Sequence, residues 1–239
     1  MSYHYLAKYY DLLTENVEYE IYADYICRQF NRYSIFGIIL DAGCGTGNML
    51  SLLCARGYEM IGIDASEEML AAAENKHTGA LLLKQSLTKI DLYGTISGAI
   101  STLDVLNHFK DINEVGAFFE GISLFMEKGG IFIFDMNTAY KHSSVLGNNS
   151  YTIEFPDGML VWNNAQNTKG VIIDLNIFIK TDNGTYKREK ENIIEYTYDT
   201  CDIIEMLEKN FYVIEIADGE NFGKPTETSE RIIFTAKKK

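Results

Sequence analysis

Short apolar runs alternate with helical stripes of apolar residues over positions 1–136 of the chain. Strands are predicted at 37–40, 59–64, 81–84, 97–101 and 131–135. Helices are predicted between them, where apolar residues recur every three or four positions, at 18–33, at 48–55, after Ser66 and around 115–126. The last of these helices is expected to end at Gly129-Gly130. Regular alternation of strands and helices predicts an α/β fold with a doubly wound, mostly parallel sheet.

The pattern changes after Asp135, where strand-like runs follow one another with no helical stripe between them. Turn segments too short for a crossover separate four such runs, at 151–155, 159–164, 171–180 and 185–198, which predicts hairpins. The first pattern then resumes, with a helix at 201–209 and strands at 211–217 and 231–236. We therefore predict a main domain at 1–136 and 199–239, with an antiparallel β subdomain inserted at 137–198.

Composition describes a folded protein with an acidic surface. The chain has 239 residues, 46% of them hydrophobic, and a formal net charge of −13. Because nucleic-acid binding depends on basic side chains, this charge argues against a nucleic-acid partner and favours a small molecule as the substrate. Neither a leader pattern nor an apolar run of roughly 20 residues is present, so we expect no membrane association and a cytoplasmic location. Cysteines without C-x-x-C spacing and scattered histidines predict free thiols and no metal site.

The most informative segment is the apolar run at 38–40, which ends in Asp41 and is followed by Gly43, Gly45 and Gly47. It predicts a buried parallel strand that turns sharply into a helix and leaves backbone amides bare beside a ligand. A second apolar run ends in Asp64, whose two oxygens suit a ribose diol. Together the two segments predict a cleft for a nucleoside cofactor.

The glycine spacing distinguishes between cofactors. A dinucleotide site uses G-x-G-x-x-G, which would require a glycine where Asn48 stands. Asp41 would repel a phosphate and suits a positively charged ligand. The first segment resembles the motif D/E-x-G-x-G-x-G of class I S-adenosylmethionine-dependent methyltransferases, and Asp64 matches their acidic second motif. The resemblance implies a Rossmann-like methyltransferase fold that binds S-adenosyl-L-methionine.

The same resemblance implies a set of cofactor-binding residues. It comprises Tyr10, Asp41, Gly43, Cys44, Gly45, Gly47, Asp64, Ala65, Met69, Ser86, Leu87 and Thr102. Met69 would flank the adenine, although core packing explains it nearly as well. Ser86 stands where the family commonly has an acid for the adenine amino group, and a hydroxyl would make that contact more weakly. Tyr10 would close over the methionine part of the cofactor, or it is a buried core residue.

The order of the predicted elements extends the resemblance over nearly the whole chain. It looks like the bacterial small-molecule methyltransferases that include amino-sugar N,N-dimethyltransferases, and the segment 6–11 is similar to their F-A-x-x-Y-D start. In that group the inserted sheet lies over the acceptor site and often mediates dimers, which makes a homodimer an expectation here. Trp162 and Phe178 would then contact the acceptor or pack in the dimer.

Candidate catalytic residues follow the fourth predicted strand, where an open α/β sheet presents its ligand crevice. Asp104 and Asn107 resemble the family's polar motif near the methyl donor. In the amino-sugar group a histidine at a place matching His108 removes a proton from the acceptor amine, and the alternative is that His108 only lines the pocket. We predict methyl transfer to a small-molecule acceptor, at nitrogen rather than oxygen, with Asp104 and His108 orienting or deprotonating the acceptor.

Two other functions are compatible with a nucleoside cleft. A non-catalytic nucleoside-binding or sensor module would bind the cofactor and use the inserted sheet as a partner surface. A nicotinamide-dependent dehydrogenase would bind NAD in the same place, but the glycine spacing argues against it.

Overall fold

The computed structural model describes residues 6–239, which fold into two β-sheets with helices packed around them. The strands are β1 (Ile38–Ala42), β2 (Glu59–Asp64), β3 (Leu81–Lys84), β4 (Ile96–Ser101), β5 (Met126–Asn137), β6 (Ser150–Phe155), β7 (Gly158–Asn167), β8 (Gly170–Lys180), β9 (Tyr186–Tyr196), β10 (Phe211–Asp218) and β11 (Arg231–Lys238). The helices are α1 (Leu6–Leu13), α2 (Tyr19–Arg32), α3 (Asn48–Ala55), α4 (Glu67–Glu74), α5 (Ile112–Phe125) and α6 (Thr200–Leu207).

The larger sheet has seven strands and is mostly parallel, as predicted. Its strands lie in the order β3-β2-β1-β4-β5-β11-β10, and β11 runs antiparallel to both of its neighbours. β1 pairs with β2 on one side and with β4 on the other, so the chain reverses its direction of travel across the sheet at β1. Open α/β sheets bind ligands at such a switch point, beside the carboxyl ends of the strands.

Apolar side chains cover both faces of the larger sheet, as β5 illustrates. Phe132 and Phe134 pack on one face against α5, while Ile131 and Ile133 pack on the other face with residues of α2 and α3. The alternation follows from the two-residue repeat of a strand, which directs successive side chains to opposite faces. Because both faces are covered, the carboxyl edge of the sheet is the side left open for a ligand.

The smaller sheet is antiparallel, with the strand order β6-β7-β8-β9, and confirms the predicted insertion. Ile173, Leu175 and Ile177 alternate along β8 on a buried face that packs with Leu6 and Tyr9 of α1. The insertion therefore does not stand alone, because its apolar face is closed by the first helix of the chain.

Trp162 and Phe178 lie on opposite faces of this smaller sheet. Trp162 pairs with Leu175 and shares its buried face. Phe178 occupies the alternate position of β8 and so faces away from Leu175, because successive strand residues point in opposite directions. Phe178 therefore faces away from Trp162 and the cleft, and whether it contacts the acceptor or packs in a dimer stays a prediction.

One helix end and two helical segments differ from the sequence prediction. α5 ends at Phe125 and β5 begins at Met126, so Gly129 and Gly130 lie inside the strand. Gly129 has a φ of +83°, and a Cβ on Gly130 would stand 2.7 Å from the Ser97 carbonyl oxygen, so these glycines serve a bulge against β4. The helix α1 and the π-helical turn Lys141–Leu146 were not predicted, since each is short.

Several expectations stay predictions. These are the cytoplasmic location, the boundary of the insertion at 137–198, and the homodimer. Among the helices of residues 6–239, none has the length and apolar content that crossing a bilayer requires. The first five residues of the segment searched for a leader lie outside the described residues.

Candidate active site

A cleft of about 1150 Å³ runs along the carboxyl ends of β1, β2 and β4 and reaches the inserted sheet. Its lining includes thirteen predicted site residues, Tyr10, Asp41, Gly43, Cys44, Gly45, Asp64, Ala65, Met69, Ser86, Leu87, Thr102, Asp104 and His108. The inserted sheet contributes Trp162 and Leu175 to the same space. The predicted cofactor residues and the predicted catalytic residues are therefore brought together, with the insertion beside them.

Gly47 is the predicted residue that the structure places outside the cleft lining. It precedes α3 with a φ of +78°, and a Cβ there would lie 3.0 Å from the Cβ of Ala73 in α4. Its small size therefore allows α4 to approach the start of α3, and its contact with the cofactor stays a prediction.

Three amides of the glycine loop, those of Gly43, Cys44 and Gly45, are not bare, which corrects a sequence-based expectation for these residues. The amides of Gly43 and Cys44 both donate to the carbonyl of Ile63, at 2.8 and 3.0 Å, and the amide of Gly45 donates to Asp64 Oδ2 at 3.0 Å. These bonds tie the loop to the end of β2. Gly45 has a φ of +51°, and a Cβ added to it would meet no atom within 4 Å, so Gly45 contributes open space to the cleft.

Asp41 is the most perturbed acid of the cleft. Its side chain is buried at the end of β1, and its Oδ2 has no hydrogen-bond partner in the described part of the chain. Burial and the nearby charge of Asp64 raise the pKa of Asp41 to about 7. A buried carboxylate with an unused oxygen fits a ligand that brings a positive charge, because the cation would offset the cost of ionising the acid.

Asp64 lies at the end of β2 with both oxygens facing backbone donors. Oδ1 accepts the amide of Ser66 at 2.8 Å and Oδ2 accepts the amide of Gly45. Burial raises the pKa of Asp64 even though these amides oppose the shift. A carboxylate has about four acceptor positions, so each oxygen can still accept a ligand hydroxyl.

The hydroxyl of Ser86 is already used by the backbone around it. It caps the short turn Leu87–Lys89 by accepting the amide of Thr88 at 3.4 Å, and it lies 3.0 Å from the Thr88 hydroxyl. Met69 is buried against the start of α4, where its amide donates to the hydroxyl of Ser66, the predicted helix cap. A role of Ser86 or Met69 at the adenine stays a prediction.

The turn after β4 is held in a strained conformation. Leu103 and Asp104 have φ values of 62° and 59°, in the left-handed region that side chains other than glycine rarely adopt. Their amides donate to the two oxygens of Asp135 at 2.8 and 2.7 Å. Asp135 is fully buried in β5, so the core fixes the direction in which Asp104 enters the cleft.

Arg231 joins the two acids of this turn. It lies 2.6 Å from Asp104 through Nη2 and 2.6 Å from Asp135 through Nη1. Burial alone would raise the pKa of Asp104, but the charges of Arg231 and His108 outweigh that effect and keep the pKa below its ordinary value. Asp104 is therefore held ionised. His108 follows one turn later, with Nε2 3.9 Å from Asp104 Oδ2.

Asp11 fastens α1 over the glycine loop. It accepts hydrogen bonds from the Thr46 hydroxyl at 2.5 Å and from Asn48 Nδ2 at 3.0 Å, and it lies 3.0 Å from Lys76 Nζ. Burial would raise the pKa of Asp11, but these partners hold it below its ordinary value. The neighbouring Tyr10 lines the cleft, so the hydrogen bonds and the ion pair of Asp11 keep Tyr10 at the site.

The sequence analysis did not assign Asp11, Asp135, Arg231 or the residues of the insertion that reach the cleft. Asp135 carried a usable signal, because it ends an apolar run in the same way as Asp41 and Asp64. Arg231 carried none, since a basic residue at the start of a strand is ordinary.

Comparisons with known proteins agree with this geometry. A family model described as Methyltransferase domain matches residues 40–134, from β1 to β5. A methyltransferase of Geobacillus sp. (strain WCH70) is 28% identical over 247 residues, which cover 100% of both chains. A crystal structure of an S-adenosylmethionine-dependent methyltransferase from Clostridium acetobutylicum ATCC 824 superposes with a TM-score of 0.88 at 28% identity, covering 98% of this chain and 97% of that one. Residues 40–134 form a methyltransferase domain, and the chain is an S-adenosylmethionine-dependent methyltransferase.

The methyltransferase also resembles an amino-sugar enzyme over part of its length. The dTDP-3-amino-3,4,6-trideoxy-alpha-D-glucopyranose N,N-dimethyltransferase of Streptomyces venezuelae is 26% identical over 95 residues, 40% of each chain. The cofactor of this chain is S-adenosylmethionine, and the unused oxygen of Asp41 and the open space at Gly45 fit that cationic nucleoside. The comparisons favour a catalytic enzyme over the non-catalytic binding module.

Proposed function

We propose that the methyltransferase transfers a methyl group to a nitrogen atom of a small-molecule acceptor. The observation that carries this proposal is the position of Asp104 and His108 in one cleft with Asp41 and Asp64. The two acids at the ends of β1 and β2 mark the cofactor half, and the turn after β4 lies between that half and the inserted sheet.

The cofactor half would use three residues in different ways. Asp64 would accept the ribose hydroxyls, Asp41 would stabilise the positive charge, and Gly45 would leave room for the ligand. When bound, S-adenosylmethionine supplies an activated methyl group on a sulfonium, which departs as a neutral thioether. Because such a displacement needs little covalent help, the main task of the protein is alignment, worth on the order of 7–11 kcal/mol.

In the acceptor half, His108 would act as the general base. An amine must be neutral to attack, and an imidazole can take its proton near neutral pH. Asp104 would stabilise the resulting imidazolium, since its carboxylate lies 3.9 Å from His108 Nε2. Arg231 and Asp135 keep Asp104 ionised and in place, so they are positioning residues.

Charge supports a nitrogen acceptor over an anionic one. The chain carries a net charge of −13, and the cleft is lined by more acidic than basic residues. The acidic ones are Glu15, Asp41, Asp64, Asp104, Glu114 and Glu195, and the basic ones are Lys141 and Arg231. Such a field attracts cations and therefore concentrates protonated amines. The amino-sugar N,N-dimethyltransferase resembled over 40% of the chain points to the same class of acceptor.

The test measures transfer of radiolabelled methyl from S-adenosylmethionine to matched panels of small amines and alcohols. We expect label in the amines, and replacing His108 by Ala should lower kcat by roughly 10²–10⁴-fold at saturating acceptor. His77→Ala, on an exposed turn, is the matched control and should keep the wild-type rate. Label in the alcohols alone would contradict a nitrogen target, and a His108→Ala enzyme with most of its turnover would show that His108 only lines the cleft.

A further inference from the structure

Glu195 is a buried carboxylate of the cleft whose function the mechanism above does not use. It stands near the end of β9, is 6% exposed, and lines the acceptor side of the cleft. Oε2 accepts hydrogen bonds from Asn137 Nδ2 at 2.9 Å and from His142 Nε2 at 3.0 Å. Oε1 accepts no hydrogen bond from residues 6–239. One oxygen is therefore fixed and the other is unused.

The groups that hold Glu195 also fix its surroundings. His142 is buried and its Nδ1 lies 2.7 Å from the Thr197 hydroxyl, so Nε2 is free to donate its proton to Glu195. Asn137 donates with its amide nitrogen, which leaves its own oxygen, Oδ1, buried with no hydrogen-bond partner in the described chain. Both unused atoms, Glu195 Oε1 and Asn137 Oδ1, are acceptors, so the group they lack is a hydrogen-bond donor.

Asn107 connects this cluster to the catalytic turn. Its side chain accepts the amide of Asn137 at 2.8 Å and donates to the carbonyls of Asn137 and Tyr196 at 3.2 and 2.9 Å. Asn107 is fully buried and immediately precedes His108. The turn that carries His108 and the strand end that carries Glu195 are thus joined by one side chain, which sets them in a fixed relation to the same ligand.

Lys141 lines the same part of the cleft, but it does not satisfy Glu195. Burial and the charge of Arg231 lower the pKa of Lys141, and no ion pair within 4 Å joins it to Glu195 in the described residues. The insertion also supplies apolar side chains to the cleft, among them Trp162, Ile173, Leu175 and Ile193, beside the polar residues Ser150, Tyr151 and Thr152. This half of the cleft therefore combines an apolar wall with unused acceptor atoms.

We propose that Glu195, with Asn137, binds a hydrogen-bond donor of the acceptor, an ammonium or a hydroxyl group, and that His142 is the positioning residue for Glu195. The proposal rests on the proposed function and adds the acceptor-binding residue to it. Glu195 selects polar acceptors with an apolar body and a donor head, and it excludes those with an anionic head by charge repulsion.

The experiment measures binding of three probes of the same shape to the enzyme loaded with S-adenosylhomocysteine. Cyclohexylamine, cyclohexanol and cyclohexanecarboxylate share a ring that suits the apolar wall and differ in the head group. We expect the amine or the alcohol to bind at least about tenfold more tightly than the carboxylate. Tight binding of the amine but not of the alcohol would indicate that Glu195 binds an ammonium group. Replacing Glu195 by Gln should weaken the preferred probe about tenfold and leave S-adenosylhomocysteine affinity unchanged.

Glu191→Gln is the matched control. Glu191 is a buried carboxylate on the same strand and the same face, but it accepts the amide of Leu6 and does not line the cleft. Its variant should bind all three probes as the wild type does. Equal affinity for the three probes, or a Glu195→Gln enzyme within twofold of the wild type, would overturn the proposal.

Two variants of His142 test its positioning role. His142→Gln can keep an N–H donor for Glu195, whereas His142→Leu cannot, so the Gln variant should recover most of the probe affinity that the Leu variant loses. If both variants lose probe binding equally while their thermal melts match the wild type, His142 does not position Glu195. Failure of the wild type to bind S-adenosylhomocysteine would instead count against the proposed function.

Discussion

Arg231 donates a 2.6 Å hydrogen bond to Asp104, which lies 127 residues earlier in the chain. The same guanidinium bonds to Asp135 at 2.6 Å, and both acids are withdrawn from solvent. A charge-assisted fork of this kind holds the turn after β4 in its left-handed conformation and keeps Asp104 ionised beside His108. The first residue of β11 therefore controls a site whose recognisable motifs all lie in the first half of the chain.

Replacing Arg231 by Met should lower the free energy of unfolding by about 3–5 kcal/mol, because it leaves two buried carboxylates without their cation. Urea denaturation monitored by circular dichroism measures this loss. Arg56→Met is the matched control, since Arg56 also pairs with two acids, Glu20 and Asp24, but does so at the surface. The control should cost about 1 kcal/mol or less, and equal losses would mean that the buried fork adds nothing to stability.

Asp41 should make cofactor binding depend on pH. Its pKa of about 7 means that it ionises over the neutral range, and a cationic ligand binds the ionised form better. The Kd of S-adenosylmethionine, measured by calorimetry, should therefore fall as the pH rises from about 6 to about 8. Asp41→Asn should bind more weakly and show little pH dependence in this range.

The same group should destabilise the cofactor-free protein at higher pH. Folding raises the pKa of Asp41 from 3.8 to about 7, so the folded state holds a proton that the unfolded state has lost within that interval. This contribution to stability is present below the lower value and declines as the pH rises to the upper one, by up to about 4 kcal/mol. Asp41→Asn should remove the decline, whereas Asp182→Asn, in an exposed turn, should leave the stability curve unchanged.

Alanine substitutions at Gly45 and Gly57 distinguish the cost of an unfavourable backbone conformation from the loss of space for the cofactor. Both have positive φ values, +51° and +90°, and an added Cβ would meet nothing within 4 Å at either. Replacing either glycine by Ala should therefore lower the free energy of unfolding by about 1–2 kcal/mol, because of the backbone conformation alone. Gly45 lines the cleft and Gly57 does not, so S-adenosylhomocysteine affinity should fall at least about tenfold for Gly45→Ala only. Similar affinities for the two variants would place the cofactor elsewhere.

Asp11 should slow the escape of the cofactor. Its bonds to Thr46, Asn48 and Lys76 fasten α1 across the loop that follows β1, and they are half-exposed, so their combined effect is modest. Asp11→Ala should speed dissociation of S-adenosylhomocysteine roughly three- to tenfold in stopped-flow measurements. Asp157→Ala, which removes a 4.0 Å pair to Lys8 of the same helix, should leave the dissociation rate unchanged. If S-adenosylhomocysteine dissociates from the two variants at the same rate, the hydrogen bonds of Asp11 do not hold α1 over the loop.

Patterns of adjacent residues were enough to predict several strands and helices and the cofactor side of the cleft. The apolar runs that end in Asp41 and Asp64 predicted β1, β2 and the cofactor side of the cleft, because a buried strand and its terminal acid are properties of adjacent residues. The strand-like run at 171–180 predicted β8 of the insertion for the same reason. The helix predicted after Ser66 is α4, and the structure shows the Ser66 side chain capping it by accepting the amide of Met69.

The tertiary structure decided the contacts between residues far apart in the chain. These contacts are hydrogen bonds and ion pairs between different elements. Arg231 pairs with Asp104 and Asp135, Asp11 accepts the Thr46 hydroxyl, and Glu195 accepts hydrogen bonds from His142 and Asn137. The tertiary structure also placed the loop amides on Ile63 and Asp64 and turned Phe178 away from the cleft. Periodicity and propensity act over a few residues, whereas these bonds depend on how strands and helices pack, which no short segment specifies.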